Sequence, residues 1–172
     1  RYFIRNTPFV DTGLVFQNTP IISFLQTQNE TFKIARLNRQ ILPPNSWIPY
    51  KLRFVEGYDP LSLENYSRYF NLINGNSYDD RITRFSEILN DPSLYLNATG
   101  VKYFLVLKND LDSMMQDKDF GKKYLVVFED KSTVILQNQL YRGEGFFVDK
   151  IDFVQKRDDL APPHKRSSTD ER

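Results

Sequence analysis

The residues with the clearest chemical potential lie where a predicted strand passes into a predicted helix. Four of them fall within seven positions of one another: Arg53, Glu56, Tyr58 and Asp59. Asp59 precedes Pro60, a pair typical of a helix start, where the backbone dipole favours anionic groups such as a lipid-linked phosphate. The Asp59 carboxylate itself would oppose such an anion. We therefore expect a small polar ligand site at this corner, with these four residues as its binding groups.

The rest of the chain offers little of what enzyme catalysis usually requires. It contains no cysteine, which excludes thiolate catalysis and cysteine-ligated metal sites, and its only histidine, His164, lies in a polar stretch near the end. The seven glycines form no phosphate-binding loop motif. The sequence therefore predicts no catalytic residue and no cofactor.

A metal site is not expected either. The acidic residues that lie closest together fit a solvated loop better than a set of calcium ligands: Asp110, Asp112, Asp117 and Asp119. One enzymatic alternative stays open, in which Glu56 and Asp59 hydrolyse a glycosidic bond. A glycosidase that retains the configuration of the sugar needs two carboxyl groups about 5–5.5 Å apart.

Composition excludes other classes of function. The 172 residues include 23 Lys and Arg against 22 Asp and Glu, a net charge of +1, so the chain lacks the basic footprint of a nucleic-acid-binding protein. The 40% hydrophobic content, with 14 Phe and 10 Tyr, favours a packed aromatic core over disorder. The longest apolar runs, such as Tyr103–Leu107, are far shorter than the roughly 20 residues that span a bilayer.

Apolar spacing predicts the helices that must position the corner. Leu63, Tyr66, Phe70 and Ile73 share one face of a helix over 60–74, which Asp59 would cap and Asn74-Gly75 would end. A similar stripe predicts a helix over 79–90. Shorter helices are expected over 20–28 and 92–98.

Runs of β-branched and aromatic residues predict six strands: Thr31–Leu37, Leu52–Val55, Val101–Lys108, Lys123–Phe128, Thr133–Gln137 and Gly145–Val154. The polar residues 129–132 suit a hairpin between the fourth and fifth. We predict an α/β (mixed α+β) fold: a single domain over 18–155 with a mixed sheet of about five or six strands and three to four helices packed on it. Residues 1–17 are expected to be a lead-in and 156–172 a disordered tail or linker.

An ordered series of motifs resembles the soluble region of bacterial YfhO-type membrane proteins. The most distinctive is Ile48–Leu61, which joins a Pro-Tyr pair, a strand with Arg and a Gly-Tyr-Asp-Pro-Leu turn. Three further segments agree in order: Phe32–Arg36, Thr99–Val106, and Leu125–Phe128 with Asn138–Arg142. Together they cover about residues 18–154.

This resemblance implies a function at a membrane surface. The family is similar to multi-pass glycosyltransferases of the GT-C type, which use lipid-linked sugars on the outer face of the cytoplasmic membrane. Their usual catalytic carboxylate belongs to a loop between membrane helices, and that loop is not in this chain. The resemblance implies a non-catalytic extracytoplasmic domain held by membrane helices of a parent protein, with an envelope glycan or lipid-linked sugar as its partner.

The alternative is a purely structural or protein-interaction domain without a ligand. Trp47, Arg53 and Tyr58 distinguish the two hypotheses. Their exposure together in one cleft would favour ligand binding, whereas burial of all three would favour the structural role.

Overall fold

The computed structural model describes residue 13 and residues 16–89 and 94–151. In chain order, the helices of this part are α1 (Pro20–Gln26), α2 (Glu64–Ile73), α3 (Leu94–Asn97), α4 (Lys108–Met114) and α5 (Phe120–Lys123), with a 3₁₀ turn at Ile48–Tyr50. The strands are β1 (Lys33–Arg36), β2 (Gly57–Tyr58), β3 (Phe85–Ser86), β4 (Val101–Leu107), β5 (Tyr124–Glu129) and β6 (Thr133–Asn138). This arrangement confirms the predicted mixed α+β class.

Four of the strands form one mixed sheet in the order β1-β4-β6-β5, and β2 and β3 form a separate antiparallel pair. β1 and β4 are parallel, so the chain between them makes a long crossover that carries α2 and the β2–β3 pair. β5 and β6 are the predicted antiparallel hairpin. Asp130 fixes its turn, because its Oδ1 atom accepts hydrogen bonds from the Ser132 and Thr133 amides at 2.9 and 2.8 Å.

The core lies on both faces of the sheet. Side chains of β4 alternate between the faces, as the pleat of a strand requires. Phe104 and Val106 pack in the cluster that includes residues of α2, whereas Tyr103 and Leu105 pack in the cluster that includes residues of α1. β4 is therefore the central, buried strand that ties both layers together.

The first helix begins as its sequence predicts. Pro20 occupies the first turn of α1, and the Thr19 hydroxyl accepts a hydrogen bond from the Ile22 amide at 3.4 Å. The exposed helix end thus gains a side-chain acceptor for one of its unpaired N–H groups.

Removing this cap has a predictable cost. We expect Thr19→Ala to lower the free energy of unfolding by about 1 kcal/mol, because the Ile22 amide loses its acceptor. Urea melts of the two proteins measure the difference. Ser113→Ala is a matched control, since its hydroxyl donates to the Asp110 carbonyl of its own helix and caps no N-terminus. Equal costs for both substitutions would contradict the capping role.

The helix predicted over 60–74 begins later, at Glu64, and the prediction that Asp59 caps it is wrong. Leu63 is its N-cap residue and provides no side-chain hydrogen bond. Asp59 instead closes the preceding turn, where its Oδ1 atom accepts from the Leu61 amide at 2.8 Å. The predicted end is confirmed, since Gly75 follows Asn74 with a φ of +71°.

The prediction of a helix over 79–90 is wrong for the residues that the structure describes there. That region turns, forms β3 and continues as extended chain. The Asn74 side chain offers its backbone an alternative to helical hydrogen bonds: Nδ2 donates to the Glu87 carbonyl at 2.8 Å, and Oδ1 accepts from the Leu89 amide at 2.7 Å. The stripe of Ile82, Phe85 and Leu89 is exposed rather than buried.

Three strand predictions also differ from the structure. Leu52–Val55 forms only a parallel bridge between Phe54 and Ile34 beside β1. Gly145–Ile151 forms no strand, and the remainder of that predicted strand lies outside the described residues. Lys108 starts α4 instead of ending β4.

Other predictions fall wholly or partly outside the described residues. These are the first two residues of the helix over 92–98, the tail 156–172 and most of the lead-in 1–17. Along the part of the chain that the structure covers, no helix has both the length and the apolar character needed to cross a bilayer.

Candidate functional site

A cleft of about 380 Å³ lies between β2, the turn that follows it and the start of α2. We name it the corner cleft, and its main polar lining residues are Asn45, Glu56, Tyr58, Asp59, Ser62 and Tyr66. Three of the four predicted site residues therefore share one cavity. They do so because β2 and its turn present consecutive residues to the same space.

The structure separates Arg53 from the other three. It lines a second cleft of about 410 Å³ beside Tyr50 and Lys51. Its guanidinium forms an ion pair with Glu144 at 2.6 Å, and its side chain is 51% exposed. The expectation that all four residues converge is wrong for Arg53, whose nearest charged partner belongs to the chain beyond β6.

Glu56 forms the inner wall of the corner cleft and is almost fully buried. Its Oε2 atom accepts from the Arg36 amide at 2.6 Å, and its Oε1 atom accepts from the Ile88 amide at 3.3 Å. Burial raises the pKa of Glu56 to about 7, although the amide and guanidinium of Arg36 act in the opposite direction. Glu56 thus connects β1, the cleft and the extended chain after β3.

Behind Glu56 lies a charge cluster, three of whose four residues are buried, that the sequence did not reveal. We name it the interior network, and it consists of Arg36, Arg39, Glu56 and Glu87. The Arg36 Nε atom lies 3.6 Å from Glu56 Oε1, and its Nη2 atom lies 3.6 Å from Glu87 Oε1. Neither nitrogen has a hydrogen-bond acceptor within the described structure. Arg39, whose side chain is exposed, pairs with Glu87 from the outside.

The remaining contacts of Arg36 hold the network in place. Its Nη1 atom donates to the carbonyls of Leu42 and Arg39. Its guanidinium carbon lies 5.3 Å from the centre of the Trp47 ring, and Trp47 stacks on Phe54 with ring centres 4.3 Å apart. The only hint of this cluster in the sequence is a charged residue at the end of an apolar strand.

Tyr58, which lines the corner cleft, belongs to an exposed aromatic pair with Phe85, which lies outside the lining. Tyr58 and Phe85 face each other across β2 and β3, with ring centres 4.9 Å apart, and are 37% and 47% exposed. Asn45 holds the Tyr58 backbone through both of its side-chain polar atoms, at 2.7 and 3.1 Å. A Cβ atom at Gly57 would lie 3.1 Å from Asn45 Oδ1, so a larger residue there would require the Asn45 side chain to shift.

Tyr66 closes the other side of the corner cleft. Its hydroxyl donates a hydrogen bond to the Val55 carbonyl. Burial, and after it the charge of Glu56, raises the pKa of Tyr66 to about 12. Tyr66 is therefore a neutral hydrogen-bonding group over the physiological pH range.

Trp47, Arg53 and Tyr58, whose exposure distinguishes the two hypotheses, differ in their surroundings. Trp47 is buried in the core. Tyr58 is partly exposed on the corner cleft, and Arg53 is exposed on the other cleft. Neither a single exposed cluster nor burial of all three is observed, so Tyr58 is the one member that the structure offers to a ligand in the corner cleft.

The carboxylate oxygens of the cleft accept hydrogen bonds from the backbone. Both Glu56 oxygens already accept backbone hydrogen bonds, and Asp59 Oδ1 accepts one from Leu61. Among the described residues, no group of three His, Cys, Asp or Glu side chains is placed to hold a metal ion. Glu56 and Asp59 are the ionisable carboxyl groups of the lining, which contains neither Lys nor Arg.

Comparisons with models of protein families, with curated proteins and with solved structures returned no match. The resemblance to YfhO-type proteins therefore stays a prediction from the sequence motifs. The functional argument that follows rests on the geometry of the corner cleft and on those motifs.

Proposed function

We propose that this chain is a non-catalytic extracytoplasmic domain of a multi-pass bacterial membrane protein that resembles GT-C glycosyltransferases. In this proposal the corner cleft binds an envelope glycan, or the sugar of a lipid-linked donor, during glycosylation of the cell envelope. The exposed Tyr58–Phe85 pair beside a polar cleft carries the proposal. The sequence motifs that resemble YfhO-type proteins support the part of the proposal that concerns the membrane.

The chemistry of the cleft suits a sugar. An aromatic ring can cover the apolar face of a pyranose, while nearby amide, hydroxyl and carboxylate groups can hydrogen-bond its hydroxyls. Tyr58 supplies the ring in the lining, and Phe85 packs against that ring. Ser62 and Asp59 supply polar groups of the lining.

The charge of the cleft narrows the ligand class. Asp59 is acidic, and the lining contributes no cationic side chain to balance it. A phosphate group would be repelled there, whereas a neutral or amine-bearing sugar would not. We therefore place a sugar ring in the cleft and the phosphate of any lipid-linked donor outside it.

Binding can be tested with the full 172-residue chain. We expect neutral oligosaccharides of hexose and N-acetylhexosamine to bind, and polyglycerol phosphate to bind more weakly, in calorimetric titrations. Tyr58→Ala should weaken saccharide binding roughly tenfold, since a partly exposed aromatic contact contributes about 1.4 kcal/mol.

Phe147→Ala is the matched control, because it removes an exposed aromatic ring that is not part of the cleft. Its affinity for saccharides should equal that of the original chain. Absence of saccharide binding, or equal effects of the two substitutions, would contradict the proposed role of the cleft.

The non-catalytic part of the proposal has a separate test. The chain should show no turnover of glycoside, sugar-phosphate or ester substrates. Reproducible turnover that disappears in Glu56→Gln or Asp59→Asn would support the carboxylate-pair glycosidase instead.

A further inference from the structure

Two tyrosine rings line the corner cleft from different elements. Tyr58 lies on β2 and Tyr66 on α2, and they are 37% and 40% exposed. Phe85 supports the Tyr58 ring, with ring centres 4.9 Å apart. Phe70 supports the Tyr66 ring in the same way, at 5.2 Å. The cleft therefore receives supported and accessible aromatic surface from both a strand and a helix.

Asp59 adds a carboxylate to the same lining. It follows Tyr58 directly in the chain, and its Oδ1 atom accepts from the Leu61 amide. Its own amide donates to the Arg84 carbonyl at 3.1 Å, but Arg84 is not among the described lining residues, which include neither Lys nor Arg. Carboxylates and the faces of aromatic rings both attract cations, so the cleft combines two kinds of cation-binding group.

Glu56 is the other carboxyl group of the lining. It interacts electrostatically with Arg36 of β1, with Glu87 after β3 and with Tyr66 of α2. Burial raises the pKa of Glu56 to about 7, so at pH 6 this group is mostly uncharged. Of the two lining carboxyl groups, Asp59 is therefore the one whose charge a ligand meets at pH 6.

We propose that the corner cleft prefers a saccharide with a free ammonium group over the same saccharide with that amine acetylated. This inference rests on the proposed function, because it names the class of sugar that the same cleft takes. Asp59 would pair with the ammonium group, and the ring of Tyr58 or Tyr66 would lie close to it. The Ser62 hydroxyl would remain for the hydroxyls of the sugar. Acetylation removes the charge and with it both of the cation contacts.

Two matched trisaccharides test this preference in calorimetric titrations of the 172-residue chain at pH 6. The trimer of glucosamine carries protonated amines, and the trimer of N-acetylglucosamine has the same backbone without the charge. We expect the glucosamine trimer to bind about tenfold more tightly at low ionic strength, because a partly exposed ion pair and a cation–aromatic contact both contribute. Added salt should reduce this ratio, since it screens exposed charges.

The variant Asp59→Asn tests which group creates the preference. It removes the charge but retains an oxygen that can accept from the Leu61 amide. We expect it to lower the affinity ratio of the two trisaccharides from about tenfold to about twofold, whatever its affinity for the neutral one. Asp112→Asn is the matched control, because it removes the same charge from an exposed residue of α4 outside the lining. Its ratio should equal that of the original chain.

A peptide separates an amino sugar from a general cation. Trilysine carries several ammonium groups but no sugar ring, so we expect it to bind at least tenfold more weakly than the glucosamine trimer. Equal binding of trilysine would overturn the inference, because the cleft would then recognise positive charge alone.

The remaining outcomes distinguish this inference from the function on which it rests. Absence of binding by both trisaccharides would contradict the proposed function and this inference with it. Equal affinity for the two trisaccharides would overturn the inference alone, and this comparison on the original chain needs no variant. An Asp59→Asn ratio equal to the original, or a loss of the ratio in Asp112→Asn as large as in Asp59→Asn, would also overturn it.

Discussion

Replacing Arg36 with methionine should lower the free energy of unfolding by about 3–5 kcal/mol, the range expected when one partner of a buried ion pair is removed. The Arg36 side chain is 1% exposed and faces the carboxylates of Glu56 and Glu87 at 3.6 Å. Methionine retains much of the apolar stem but removes the charge and the donors. Glu56 is then buried without its cation, and Glu87 is left with Arg39 alone.

Urea denaturation at pH 8, above the pKa of Glu56, measures this loss. Arg53→Met is the matched control, because Arg53 also pairs with a glutamate but is half exposed, and such surface pairs contribute at most about 1 kcal/mol. Similar losses for the two variants, or an Arg36→Met protein as stable as the original, would show that the interior network does not stabilise the fold.

Local signals in the sequence predict much of the framework around this network. The Thr19-Pro20 pair marks the start of α1, and the apolar runs of β4, β5 and β6 mark the main sheet within one or two residues. These elements are predictable because their stabilising features lie within a few residues along the chain. Helix caps, turns and period-two burial are all local.

Two of the failures have a different physical cause, since each depends on a distant partner. The stripe over 79–90 has the spacing of a helix, but the Asn74 side chain holds Glu87 and Leu89 in extended conformation. Arg36 is buried only because Glu56 and Glu87, far along the chain, return to it. No window of neighbouring residues contains these pairings.

In the candidate site too, local signals predict some of the residues, and distant partners determine the others. The sequence correctly places Glu56, Tyr58 and Asp59 close together, because neighbours on one turn share one cleft. Arg53 is nearly as close in sequence, yet its side chain lines another cleft and pairs with Glu144. Phe85, the aromatic partner of Tyr58, was missed because it comes from β3, a strand in a region where a helix was expected.

The interior network should also make stability fall as pH rises from about 4.5 to 7. Burial raises the pKa of Glu56 from 4.5 to about 7, so the folded chain keeps this proton where the unfolded chain has released it. The free energy of unfolding then decreases with pH across this window, by up to about 3 kcal/mol, and levels off above pH 7. Below pH 4.5 both states are protonated and the contribution is fully present.

The groups that face Glu56 support assigning this window to it. Arg36 is the cation that faces Glu56, and the pKa of Tyr66 is raised to about 12, above the window. Asp117 has a lowered pKa through its hydrogen bond to Lys123, so its effect has the opposite sign and lies below pH 3.8. Urea melts at half-unit pH steps should therefore show that the free energy of unfolding decreases between pH 4.5 and 7. In Glu56→Gln this decrease should disappear, whatever the absolute stability of the variant. A positive slope in the original chain, or an unchanged slope in Glu56→Gln, would mean that Glu56 is ionised in the folded state as readily as in water.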